Sequence, residues 1–295
     1  MRRFLPLVVA VLAAQVGTAQ GLVVAYLDGD AQLRSGSAWK PLSMGDPIAT
    51  DSSIRLGANA LIEVKGPGTD FTLTKPGTYG VRDVVAAGRR VSPPGVGATV
   101  TTAMRYMTFG AGKNQSATMG ARGADQSGSD EPQWADSSAQ VFLDAGKEYI
   151  KAGRYDKAAD QLRQALACAS DEETPEIHYY LGYASSLGGN VREAWKQTAG
   201  LKPSPGEAWY GDFILLRARL LEDTSSCADA AALLTQEGGT LAHDPQRAPL
   251  YYFLLGLAYR GTGDGPRAGQ ALSTVVSLAG EADLGKTAAA LLSQQ

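Results

Sequence analysis

The spacing of apolar residues changes along the chain, and the change divides it into two parts. From about residue 21 to residue 125, short β-branched segments are separated by glycine, proline, aspartate and serine. Apolar and polar residues alternate in segments 60–64 and 71–74. A period of two, broken by frequent turn residues, is typical of strands in a small sandwich or barrel. We therefore predict an all-β domain over residues 21–125.

From residue 139 onward the apolar residues follow a helical period instead. Residues 139–167 predict a helix, a turn at Gly153 and a second helix. A small residue recurs every 36 to 38 positions, at Gly146, Gly182, Ala218 and Gly256. Because small residues let paired helices approach closely, this spacing predicts four stacked helical hairpins. A last amphipathic helix, over about 281–293, is expected to cap an all-α array spanning 139–295.

This spacing resembles the tetratricopeptide repeat (TPR), a helical hairpin with a period of about 34 residues. The third hairpin matches least well, because Arg217 stands where the pattern expects leucine. The resemblance implies a solenoid whose first helices line a concave face for protein partners. On that register the groove residues are Lys147, Lys151, Tyr179, Tyr183, Arg219, Phe253, Leu257 and Arg260.

These eight residues form an aromatic strip with basic flanks. Such a strip suits an extended peptide that carries apolar side chains and a carboxylate. The alternative is that Tyr179 and Phe253 pack against the adjacent hairpin, and the sequence leaves both interpretations open.

A second resemblance covers the β region. The pattern of residues 39–64 resembles the FecR-type β domain. The resemblance rests on Trp39, Gly45-Asp46, Ile48, Asp51, Ile54 and Gly57, followed by alternation of apolar and polar residues through Val64. The segment 117–123 is similar to the end of such domains, while Leu56 departs from the usual threonine. The turn residues Gly45 and Asp46 suit a tight turn, in which aspartate bonds nearby backbone amides. We expect Trp39 to pack over one end of the β core.

Two further segments indicate where the protein is located and how its parts are joined. Residues 1–19 combine two arginines, an apolar run and a small-residue end, which is the layout of a signal peptide cleaved near Ala19. An uncleaved membrane anchor is the alternative. We expect a mature protein exported to the bacterial periplasm, soluble and with no later membrane span. The polar segment 126–138 has the composition of a flexible linker.

Charge and reactive residues favour a binding protein over an enzyme. The net charge of -3 argues against a nucleic-acid partner. The two histidines, His178 and His243, suggest no metal site. The sequence contains no recognisable catalytic motif, so we expect no cofactor, no metal and no enzymatic activity.

Two hypotheses of function follow. The first is a non-enzymatic exported adaptor, whose TPR-like groove binds a protein or peptide while the β domain docks on an envelope component. The alternative is a periplasmic sensory or regulatory component, in which the β domain detects an envelope signal and the array relays it.

Overall fold

The computed structural model of the chain describes residues 21–67, 69–91, 95–110 and 139–294. The predicted signal segment, the predicted linker and segment 117–123 lie outside these residues. Within them, antiparallel sheets come first and helices follow, which confirms the predicted order of a β part and an all-α part.

The described N-terminal residues form a sandwich of two antiparallel sheets. Its strands are β1 (Leu22–Asp28), β2 (Ala31–Ser35), β3 (Ala38–Pro41), β4 (Pro47–Ile48), β5 (Ser53–Leu56), β6 (Leu61–Gly66), β7 (Thr69–Leu73) and β8 (Gly77–Gly80). One sheet has the order β4-β1-β6-β7 and the other β3-β2-β5-β8.

The alternating apolar residues of the strands fill the space between the two sheets. Ile54 of one sheet is fully buried, as are Ile62 and Val64 of the other, and all three share one core. The predicted turn is also present: Gly45 has a φ of +88°, and the amide of Ser43 donates to the Asp46 carboxylate at 2.8 Å. Side chains that alternate between faces thus place one face of each strand inward.

Trp39 lies outside this core, contrary to the expectation from the sequence. It is half-buried on β3, and the Arg34 and Arg55 guanidinium carbons lie 5.1 and 4.0 Å from its ring centroid. The pleat explains its position, because Trp39 stands beside Arg34 in the strand register and shares the outer face with it.

Helices replace strands over the last described part of the region predicted to be β. The strands end at Gly80, and two helices follow, α1 (Val81–Val91) and α2 (Val96–Phe109). The all-β prediction for 21–125 therefore does not hold for residues 81–109. Helix α2 is rich in valine and threonine, and these residues favour strands when considered in isolation. This composition explains why a strand was predicted there.

From residue 139 the chain forms four helical hairpins and a final helix. The hairpins pair α3 (Ala139–Lys151) with α4 (Tyr155–Cys168), α5 (Thr174–Leu187) with α6 (Val191–Thr198), α7 (Tyr210–Asp223) with α8 (Cys227–Leu241), and α9 (Ala248–Thr262) with α10 (Gly265–Ala279). The last helix, α11 (Asp283–Leu292), packs on α10 and α9.

The small residues identified in the sequence lie where the two helices of a hairpin meet. A β-carbon placed on Gly146 would lie 2.7 Å from Leu162 Cγ, and one on Gly256 would lie 2.9 Å from Leu272 Cγ. The partner alanines twelve positions later are fully buried: Ala158, Ala194, Ala230 and Ala268. These positions therefore hold the helix pairs at a distance that only small residues allow.

The sandwich contacts the array at the end where the hairpin turns lie. Helix α1 packs on α9 and also contacts β7 and β8. Lys75 Nζ donates to both carboxylate oxygens of Asp229, at 2.8 and 2.7 Å. The Arg192 guanidinium lies 4.0 Å from the ring centroid of Tyr26. One helix and several partly exposed side chains thus join the two parts.

None of the helices in the described part of the chain combines the length and the apolar character needed to cross a membrane.

Candidate functional site: the concave face and helix α2

The first helices of the hairpins form one layer of the array. Helix α3 contacts α5, α5 contacts α7, α7 contacts α9, and α9 contacts α11. Helix α2 lies across this layer, in contact with α3, α9 and α11. We call the surface formed by these four first helices and the last helix, α11, the concave face. In this structure it is covered by a helix that precedes the array in the sequence.

Helix α2 binds the concave face through a single apolar stripe. Val96, Val100, Met104 and Met107 are 1–6% exposed, and they belong to the same buried cluster as the array residues. Their spacing of four, four and three residues is that of one face of a helix. This stripe was not predicted, because the segment was assigned to the β region, although its helical spacing is visible in the sequence.

Two hydroxyl pairs hold the ends of α2 on the array. Near its C-terminus, Thr108 Oγ1 lies 2.9 Å from the hydroxyl of Tyr183 on α5. Near its N-terminus, Thr99 Oγ1 lies 3.1 Å from Thr287 Oγ1 on α11. Phe109 adds ring contacts with Tyr180 and Tyr183, at centroid distances of 6.4 and 6.5 Å. Helix α2 therefore spans the face from α11 to α5.

The four apolar and aromatic residues predicted to line the groove are fully buried: Tyr179, Tyr183, Phe253 and Leu257. Tyr179 stacks on Trp209 with a centroid distance of 5.0 Å and an interplanar angle of 16°. Trp209 stands at the start of α7, so Tyr179 packs against the adjacent hairpin, the alternative that the sequence left open. Tyr183 instead reaches α2 through Thr108.

The four basic residues predicted for the groove form ion pairs or a hydrogen bond with their own or a neighbouring helix. Lys147 forms an ion pair with Glu176 at 2.8 Å, while Lys151 lies 3.7 Å from Glu148 and is 42% exposed. The Arg260 Nη1 donates to the Leu291 carbonyl of α11 at 2.9 Å.

Arg219, the fourth, lies close to α2. Its Nη2 forms an ion pair with Asp223 at 2.9 Å, and a β-carbon on Gly97 of α2 would lie 3.8 Å from that same nitrogen. Arg219 Nη2 thus lies near Gly97 of α2 and pairs with an acidic group of its own helix.

A partly buried ion pair connects α7 and α9 beneath the C-terminal end of α2. The Nε of Arg247 donates to Asp212 at 2.6 Å, and its Nη1 donates to Asp244 at 2.5 Å. Burial raises the pKa of the Asp212 carboxyl, while Arg247 and the Thr108 hydroxyl lower it in part. The Thr108 hydroxyl of α2 therefore lies near enough to this pair to affect the pKa of Asp212.

A second feature lies between the sandwich and the array. A cleft of about 220 Å³ is lined by α1, β7 and the end of α7, and it includes Glu222. The Glu222 side chain is 4% exposed, and neither carboxylate oxygen has a hydrogen-bond partner among the described residues. Burial raises the pKa of this carboxyl well above its usual value, and Arg219 lowers it only in part.

Within the described residues, histidine, cysteine, aspartate and glutamate side chains form no group of three that could hold a metal ion.

Comparisons with known proteins add two structural similarities. No protein-family model matches the chain, and no curated protein is significantly similar to it. The chain is similar to MamA, residues 41 to the end, from Desulfovibrio magneticus RS-1, with a TM-score of 0.41 and 19% identity over 54% of this chain and 93% of that one. A MamA RS-1 ArsTM double mutant gives a TM-score of 0.40 and 20% identity over the same shares of the two chains.

Proposed function

We propose that the chain is a non-enzymatic, exported adaptor of the bacterial envelope, whose helical array binds a segment of a partner protein. The observation that carries this proposal is the occupied concave face. A face that buries one amphipathic helix has the shape and polarity to bind another, as helix-in-groove recognition requires. The eight residues predicted from the sequence belong to α3, α5, α7 and α9, and this supports the proposal.

The sandwich, as a FecR-like module, would dock on an envelope component. The outer face of its β3-β2-β5-β8 sheet carries a half-buried Trp39 between Arg34 and Arg55. Aromatic and arginine side chains are enriched in protein interfaces, which supports this sheet as the docking surface.

Site-specific photocrosslinking tests the adaptor function. The Lys151→benzoylphenylalanine variant places a photoreactive group at the groove edge, and the matched control is Arg163→benzoylphenylalanine. Arg163 is 56% exposed on α4, the outer helix of the same hairpin. We expect one protein to crosslink from position 151 and not from position 163. The same protein, once purified, is expected to bind the purified full chain.

Equal crosslinking from both positions would contradict the groove as the binding surface. Failure of the purified protein to bind the full chain would contradict the adaptor function.

The sensory alternative is favoured by the connection between sandwich and groove. Helix α1 packs on both β7 and α9, and residues 92–95 separate α1 from α2. A ligand that shifts the sandwich could therefore shift α2. Val84 of α1 is 6% exposed and belongs to the sandwich core, so Val84→Asp disturbs the packing of α1 on the sandwich. Under this alternative, the variant changes the rate of amide hydrogen exchange in α2. An unchanged exchange rate would exclude this coupling.

A further inference from the structure

We propose that α2 is an exchangeable internal ligand of the concave face, and that the partner segment which binds there is an amphipathic helix with the apolar spacing of α2. This inference rests on the proposed adaptor function and names the class of ligand for the same face.

The position of α2 in the chain is the first support. Each array helix from α3 to α10 is paired in a hairpin with its neighbour in sequence, whereas residues 110–138 separate α2 from α3. Helix α2 crosses several first helices, and those helices also contact one another and their hairpin partners. Its departure would expose the concave face and leave every hairpin paired.

The composition of α2 is the second support. Its 14 residues include four threonines, two valines and Gly97, all of which have low intrinsic helix propensity. Gly95 precedes it without a side chain to cap the first turn, which also lacks an acidic residue. An isolated helix of this length is marginal in water even with a good sequence. The concave face therefore induces this helix, as a groove induces helix in a bound peptide.

The contacts of α2 define the chemistry of the partner. The face accepts medium-sized apolar side chains at the positions of Val96, Val100, Met104 and Met107. A hydroxyl one position after the last of these meets Tyr183. The partner is therefore a helix with aliphatic or methionine residues at this spacing and no charge on that face. A helix replaces the extended peptide that the sequence suggested, because the observed occupant is helical.

Because α2 occupies the concave face, it lowers the apparent affinity of that face for the partner helix. A tethered ligand acts at an effective concentration on the order of millimolar. If α2 is detached in about one molecule in a hundred, the apparent affinity of an external helix for the face falls about a hundredfold. A variant that releases α2 should restore that affinity.

A full-chain binding experiment tests this prediction. The probe is a fluorescent peptide with the sequence of residues 95–110, and the receptor variant is Met104→Asp, which places a charge on the buried stripe. The matched control is Tyr106→Asp, because Tyr106 is 46% exposed on the same helix. We expect the Met104→Asp chain to bind the peptide at least tenfold more tightly than the wild type or the Tyr106→Asp chain. A peptide that carries the Met104→Asp change should not bind.

Hydrogen exchange of the wild-type full chain gives a measurement that needs no variant. We expect amides of α2 to exchange at least tenfold faster than those of α5 and α9, because α2 detaches locally. Equal protection of α2, α5 and α9 would overturn the proposal. So would global unfolding of the Met104→Asp chain, or a folded Met104→Asp chain that does not bind the peptide.

The source of the replacing helix is tested by the mass of the wild-type chain in solution. We expect the wild-type chain to have the mass of a monomer at every protein concentration measured. A concentration-dependent dimer that exchanges α2 between copies would overturn the assignment of a different partner. These three experiments use only this chain and its own sequence, so their failure leaves the crosslinking test of the adaptor function standing.

Discussion

At the residue scale, the spacing of the array depends on glycines that contact the second helix of their own hairpin. Gly256 faces Leu272, which is fully buried and cannot move away without leaving its own contacts. Gly239 of α8 is exposed, and a β-carbon added to it would meet no atom within 4 Å. The two positions share the cost of glycine in a helix and differ only in packing.

We expect Gly256→Ala to lower the free energy of unfolding by about 1–3 kcal/mol relative to Gly239→Ala, because the added methyl group overpacks the hairpin. The Gly239→Ala variant should itself be neutral or stabilised by up to about 1 kcal/mol. Denaturant unfolding of both full-length variants measures the difference. Equal stabilities would show that the small residues do not set the helix distance.

Glu222 is the second residue whose surroundings make a measurable prediction. Its carboxyl is buried without a hydrogen-bond partner among the described residues, so the folded state favours the protonated form. A pKa that is raised in the folded state gives stability below the usual glutamate pKa, and this stability is lost as pH rises toward the folded pKa.

The wild-type chain should therefore lose up to about 1.4 kcal/mol of unfolding free energy per pH unit above about pH 5 through this group alone. The Glu222→Gln variant should lose less over the same range. Its remaining slope would come from Asp212 and Asp223, whose pKa values burial also raises. The exposed Glu172→Gln change is the control and should keep the wild-type profile. Identical profiles for all three chains would refute the assignment.

At the element scale, α2 combines a poor helix sequence with a well-packed face. Gly97 is the position at which its helix can be strengthened without touching the stripe. A β-carbon there meets only Arg219 Nη2, at 3.8 Å, which is ordinary contact.

We expect Gly97→Ala to stabilise α2 by about 0.5–1 kcal/mol, which corresponds to roughly two- to fivefold slower amide exchange over residues 96–109. Hydrogen exchange measured by mass spectrometry checks this result. Gly239→Ala, outside α2, should leave the exchange of these residues unchanged. Faster exchange of residues 96–109 in the Gly97→Ala chain would contradict the claim that low helix propensity limits the stability of α2.

The elements differ in how well the sequence predicted them, and the reason is physical. Hairpins bury small residues against neighbours nearby in sequence, so Gly146 and Ala158 could be recognised from their spacing alone. Helix α2 is stabilised by residues as distant as Thr287. Its local preference, dominated by threonine and valine, points to a strand. Only the apolar spacing of Val96, Val100, Met104 and Met107 indicated a helix.

At the scale of the whole molecule, the sequence named eight groove residues, but it could not predict how far their side chains are exposed. Phe253 and Leu257 are fully buried. Their burial depends on packing between hairpins and on α2, and both involve residues that are distant in the sequence. The sequence pattern fixes which side of a helix faces its hairpin partner. The repeat pattern does not indicate that a helix from another part of the chain packs on the array.

The central claim is that α2 occupies the concave face and can leave it. Disulfide trapping in the full chain tests this claim most directly. The Thr99→Cys/Thr287→Cys variant replaces two residues of contacting helices whose side-chain oxygens lie 3.1 Å apart, so that the two thiols face each other. Cys168 is exposed and is replaced by serine, and Thr99→Cys/Ser277→Cys is the control pair, because Ser277 is exposed on the outer helix α10.

The measurement is binding of the fluorescent peptide of residues 95–110 to the oxidised and reduced forms of the Thr99→Cys/Thr287→Cys chain. We predict that this pair forms a disulfide readily and the control pair does not. The oxidised chain should then bind no peptide, while the reduced chain, which lacks the two hydroxyls that hold α2, binds it at least as tightly as the wild type does. Absence of the disulfide, or equal peptide binding by both forms, would contradict the claim.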